Sequence, residues 1–90
     1  MTHYIRSRTT FGKEGATIEV LAPGKNKNDF EINLKGNFLV TKLKEGSYAE
    51  RFLLGVELDK TNIKASCKDG ILRIELSLKE EELPKQIEIN

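Results

Sequence analysis

The sequence predicts an all-β fold, an antiparallel β-sandwich of about seven short strands. Three observations predict it. Apolar and polar residues alternate with a period of two in run after run, as in "DFEINL" and "ILRIELSL". Turn-forming pairs that include glycine separate the runs. No segment sustains the 3.6-residue apolar period of an amphipathic helix. Each alternating strand has one apolar face to bury, and stacking two sheets buries both.

The elements follow in order. A first strand is expected within 3–10, where the alternation is weakest. The run 16–22, "ATIEVLA", is rich in β-branched residues, and Pro23-Gly24 turns the chain after it. In 29–34, Phe30, Ile32 and Leu34 point one way and Asp29, Glu31 and Asn33 the other. Gly36-Asn37 leads into 37–43, and Glu45-Gly46 into 48–54. The stretch 58–63 is read as able to hold one short helical turn. The run 62–68 places Ile63, Ala65 and Cys67 on one face. Asp69-Gly70 is the strongest hairpin signal, because glycine fills a positive-φ position without steric cost. It joins 62–68 to 71–78, where Leu72, Ile74, Leu76 and Leu78 alternate with polar residues. The pattern stops at Lys79. Glu80-Glu81-Glu82 and Pro84 make the rest an extended tether. The expected division is a sandwich domain over 1–78 and an extension over 79–90.

Composition narrows the function. Ninety residues form one domain with a modest core, burying about 60–65% of the unfolded surface. Fifteen basic and 14 acidic residues leave no basic field, so nucleic acid is not an expected partner. No apolar run approaches the ~20 residues of a membrane span, and the N-terminus has no apolar signal core. Cys67 is the only cysteine, so no internal disulfide can form. A cytoplasmic location without membrane contact is the expectation. His3 is the only histidine and lies near a free end. One histidine and one cysteine do not make a typical zinc site, and Cys67 reads as a small core residue. "PGKNKND" lacks the glycine spacing of a phosphate loop, and no acidic cluster has calcium-loop spacing. No catalytic residue, metal or cofactor is expected, and the chain is read as a non-enzyme.

One feature resists a purely structural reading. Ile87 and Ile89 flank Glu88 at the end of a charged segment, where apolar side chains have no evident use. The body of the chain explains them through a resemblance. Ala65, Asp69, Gly70, Ile71, Leu72 and Ile74 fill every position of the signature of the α-crystallin domain of small heat-shock proteins. Phe52, Leu54, Asp59 and Ile63 match the stretch that precedes that signature, and Pro23, Gly24, Asp29 and Ile32 match an earlier one. The resemblance spans roughly residues 5–90. It implies an immunoglobulin-like sandwich, in agreement with the strand pattern. It also implies that Ile87-Glu88-Ile89 is an I-x-I motif that docks into a groove on a neighbouring domain. Positions i and i+2 of an extended chain project to one side, so both isoleucines enter while Glu88 faces water. The expected groove strands are 29–34 and 62–68, with Ile32, Leu34, Ile63 and Ala65 as lining. Two other fates are open to the isoleucines: packing on their own domain, or a disordered tail.

The sequence departs from the family in three places. Only about ten residues precede the first good strand, where members carry a long arm; the chain is either trimmed or naturally short. The link "KEGS" is too short for the swapped strand of bacterial and plant members, so a swapped dimer is not expected. Glu50 stands where many members have arginine, and Leu54-Gly55 replaces Leu-Pro. The resemblance implies an ATP-independent holdase that binds partly unfolded clients and self-associates into a dimer or small oligomer. The alternative is a co-chaperone adaptor of the CS-domain type, which has the same sandwich and binds one folded partner. A third is a purely structural assembly module.

Overall fold

The computed structural model describes residues 5–90. His3 and the beginning of the expected first strand lie outside them. Seven strands form: β1 (Arg6–Gly12), β2 (Gly15–Leu21), β3 (Phe30–Lys35), β4 (Phe38–Leu43), β5 (Ala49–Leu53), β6 (Leu58–Lys68) and β7 (Ile71–Leu78). They make two antiparallel sheets, one in the order β1-β2-β7-β6 and one in the order β3-β4-β5. The all-β sandwich expected from the alternation is thus the fold.

The pleat decides which residues meet between the sheets. Ala16, Ile18 and Val20 of β2 stand in register with Leu76, Ile74 and Leu72 of β7. All six are buried, and they pack with Phe30, Leu39, Leu43, Leu54 and Leu58. Thr41 is the one buried polar residue among those described, and its hydroxyl is hydrogen-bonded to that of Tyr48 at 3.0 Å. The requirement that a buried polar group find a partner is met.

The β6–β7 hairpin turns on Asp69 (φ 52°) and Gly70 (φ 77°). Two consecutive positive φ values define the tight primed turn that matches strand twist. The Gly70 carbonyl accepts a hydrogen bond from the Ala22 amide at 2.7 Å, which ties this turn to the end of β2. A Cβ at Gly70 would sit 3.1 Å from the Ala22 carbonyl oxygen. Gly70→Val is therefore expected to destabilise the domain by more than about 1 kcal/mol, since a β-branched residue tolerates positive φ poorly. An unchanged midpoint in thermal unfolding would reject this account of the turn.

The stretch 58–63 differs from expectation: it is strand, not a helical turn. Leu58 pairs with Leu78 and is buried, which anchors the start of β6. Between Leu58 and Ile63 the register shifts. Asp59 accepts hydrogen bonds from the Thr61 amide (2.9 Å) and hydroxyl (2.6 Å), a local loop that resembles a helix-start signal in sequence. Pairing with β7 at both ends outweighs it. Asp29 also differs, lying in a short 3-10 turn, Lys27–Asp29, and not in β3. Its carboxylate accepts from the Asn26 amide while Asn26 accepts from the Asn28 amide, a reciprocal cap. After Leu78 a second 3-10 turn covers Glu80–Glu82. Residues 83–90 carry no regular structure and are exposed.

Candidate functional site: a groove between two sheet edges

Strand order leaves β3 at the edge of one sheet and β6 at the edge of the other. Where the two edges face each other the sandwich is open, and a groove of about 270 Å³ lies between them. Phe30 and Ile32 form one wall; Ala65 and Cys67 form the other, with Leu72 and Lys27 also lining it. Ala65 shows the opening most directly. Its cross-strand partner Ile74 is fully buried, yet Ala65 itself is exposed. The inner face of β6 therefore lacks a cover at this point.

Four lining residues were expected. Ile32 and Ala65 face each other across the groove. Ile63 is half-buried against the core, one pleat repeat along β6 from Ala65. Leu34 is more exposed, at 43%, and continues the Phe30 and Ile32 side of β3 away from the groove floor. Neither Ile63 nor Leu34 lines the groove itself. Cys67 requires a correction. It is half-buried and forms part of the wall, where its residue type and alternation suggested the core. Burial raises its thiol pKa, and the negative Asp29 adds to the rise, so the neutral thiol is favoured. Phe30, Leu72 and Lys27 were not anticipated as lining. Phe30 and Leu72 already had a core role in the alternation, and nothing in sequence marks a core residue whose edge is uncovered.

The opposite side of the sandwich, between the β1 and β5 edges, is held by polar contacts. Ser7 of β1 donates to Glu50 of β5 at 2.7 Å, and the Tyr48 hydroxyl donates to the other Glu50 oxygen at 3.2 Å. With Thr41 this forms a chain that joins the two sheets. Glu50, the departure from the family pattern, is thus engaged within its own domain. Beyond this clasp lies an apolar cleft of about 700 Å³, with Ile18, Leu58 and Leu76 among its lining. Phe11, Leu53 and Val56 also line it and stand more than 70% exposed. Among the described residues no separate strand lies between β4 and β5.

Burial raises the Tyr48 pKa, and the nearby negative Glu50 raises it further. The folded state thus holds the phenol proton more tightly than the unfolded chain, whose tyrosine titrates near pH 10. This contribution is complete below about pH 10 and is lost as pH rises through the folded value. Tyr48→Phe is expected to cost about 1–2 kcal/mol at pH 7 by removing the hydroxyl from Thr41 and Glu50. It should also flatten the decline in melting temperature above pH 10. Parallel declines in the two proteins would exclude the clasp as the alkaline-sensitive element. On the outer face of the four-stranded sheet, Glu19 accepts from Arg8 (2.6 Å) and Arg73 (3.1 Å), and these bonds lower its pKa.

The two-sheet sandwich is the fold of one known family. A model of the Hsp20/alpha crystallin family matches residues 14–90. The chain belongs to that family. Family members are chaperones rather than enzymes. Among curated relatives it is similar to the 18 kDa antigen 2 of Mycobacterium avium, with 26% identity over 81% of this chain. The chain spans 64% of that relative's length. Among solved structures it is similar to a small heat-shock protein from Xylella fastidiosa, with TM-score 0.80, 18% identity and coverage of 97% of this chain and 96% of that one. Heat shock protein 16.0 from Schizosaccharomyces pombe superposes with TM-score 0.74 and 19% identity, over 96% of this chain and 75% of that one. At these identities the structural likeness is one of fold, and it agrees with the two-sheet sandwich of this small heat-shock family member.

Proposed function

We propose that this chain is an ATP-independent holdase that captures partly unfolded proteins, and that its copies link when the Ile87-Glu88-Ile89 segment of one docks into the β3/β6 groove of another. The supporting observation is the pairing of an uncovered groove with an uncovered ligand. Ile87 is 83% exposed and Ile89 93%, and Ala65 on the groove wall is exposed as well. Each leaves apolar area in water that docking would remove. An extended segment also offers its backbone groups to the unpaired edges of β3 and β6. Clients present the same chemistry, namely extended backbone and apolar side chains. The groove and the Phe11–Leu53–Val56 cleft are the surfaces that suit them. The sandwich comprises 1–78 in this reading, and 79–90 is the linking extension. We place the chain in the cytoplasm, consistent with its single unpaired cysteine.

The test is suppression of light scattering by a heat-labile client without ATP. A holdase is expected to abolish most of the scattering near equimolar ratio. An adaptor for one folded partner, or a purely structural module, leaves the client curve unchanged, and that result would overturn the reading.

A further inference from the structure

On the side of the sandwich away from the groove, β1 ends the four-stranded sheet and β5 the three-stranded one. Gly12 and Gly15 close a two-residue hairpin, so Gly12, Thr10, Arg8 and Arg6 exchange their backbone hydrogen bonds with β2. The amides and carbonyls of Ser7, Thr9 and Phe11 therefore point outward from the sheet edge. The same three residues stand opposite Val20, Ile18 and Ala16, which are buried, so their side chains project to the inner face. Ser7 is held by Glu50, whereas Thr9 and Phe11 are exposed. Proline and bulges commonly blunt a sheet edge, and β1 has neither: its register with β2 is unbroken from Arg6 to Gly12. Its two arginines alternate onto the outer face, where Glu19 binds Arg8.

We propose that β1 is a dimerisation edge, which pairs antiparallel with β1 of a second copy about a two-fold axis at Thr9. This alignment overlaps the whole strand, Arg6–Gly12. Arg8 then faces Thr10 of the second copy and Arg6 faces Gly12, so no like charges stand opposite each other. Phe11 faces Ser7 of the second copy, with Ile5 and Thr9 as diagonal neighbours. Ile5 is half-buried against the core, so the exposed Phe11 ring gains an apolar neighbour, and the two-fold axis repeats the contact. Other alignments are poorer. Centring on Arg8 sets that arginine against itself, and centring on Thr10 shortens the overlap to 8–12. The β5 edge is less suited to self-pairing. Centring on Glu50 or on Arg51 opposes like charges, and centring on Phe52 leaves an overlap of 51–53 within the strand. The β1 contact uses neither the tail nor the groove, so it stands apart from the linking of copies by Ile87 and Ile89. One strand pair with an aromatic ring at each end is a small interface, below roughly 1,200 Å², and the dimer it forms is weak.

The experiment uses the full chain carrying Ile87→Ala and Ile89→Ala, which removes tail contacts. It is followed by sedimentation velocity from about 5 to about 500 μM. The expected result is a monomer–dimer equilibrium that stops at the dimer. Adding Phe11→Ser, at an exposed position, should raise the dimer Kd at least about tenfold. Thr9→Pro should do the same, because it deletes an amide at the centre of the pair and no hydrogen bond within the monomer. A chain with Cys67→Ser and Thr9→Cys should be joined into dimers by a short bismaleimide. A chain with Cys67→Ser and Arg51→Cys, which probes the β5 edge, should not. A monomer across the whole concentration range overturns the proposal. So does an unchanged Kd for Phe11→Ser, or stronger cross-linking through residue 51 than through residue 9.

Discussion

Gly15→Ala is expected to lower the melting temperature by more than about 10 °C. Gly15 begins β2 and is flanked on both sides, by Gly12 of β1 and Ser77 of β7. Its φ is 154°, outside the range L-residues favour. A Cβ built there overlaps the carbonyl group of Leu76, which is backbone and not a side-chain tip that could swing away. The strand pairing that fixes this carbonyl continues into the core through Ile18 and Ile74. Relief therefore requires prising β2 from β7. Overpacking against a central ladder combined with backbone strain costs on the order of 3 kcal/mol. That is a large share of the ~5–13 kcal/mol available to a domain of this size, and each kcal/mol shifts the midpoint by roughly 4–8 °C. Gly12→Ala is the control, because a Cβ there meets nothing nearer than 4.0 Å. Equal melting of the two variants would show that the close approach at Gly15 does not matter.

Ile87→Ala combined with Ile89→Ala is expected to shift the protein to smaller species at high concentration and to leave the fold intact. Burying one isoleucine is worth roughly 1.5–3 kcal/mol, so two yield about 3–6 before costs. Ordering the tether and losing translational freedom consume much of that. A single tail–groove contact is thus weak, with Kd on the order of millimolar. Several contacts within one assembly hold each other at high effective concentration, and their loss is felt together. Glu88→Ala, on the side of the segment that faces water, should change little. Size-exclusion at several protein concentrations is the measurement. Identical elution of the double variant throughout would mean the tail does not link copies. A much lower monomer melting temperature would mean that the isoleucines pack on their own domain.

Most of the fold was legible because its signals are local. Alternation in 71–78 reports a strand with one buried face, since the pleat sends neighbours to opposite sides. The Asp69-Gly70 pair specifies a two-residue hairpin within itself. The local code failed at 58–63, where an Asp59–Thr61 loop reads like a turn while the pairing of Leu58 with Leu78 holds the chain extended. It failed at Cys67 for another reason. Alternation places Cys67 on the inward face of β6, but whether that face is covered depends on where the other sheet ends.

The sequence by itself determined the strands, their apolar faces, the central hairpin and the presence of two isoleucines beyond the last strand. These follow from the period of the chain and the conformational limits of single residues. Only the tertiary structure decided that β3 and β6 are both edges and leave a gap beside Ala65. Only it joined Ser7 to Glu50, 43 residues apart, in a clasp closing the other side. The physical reason is the same in both cases. Sheet order and sheet-to-sheet packing are set by the summed burial of all strands, and no short stretch of sequence carries that sum.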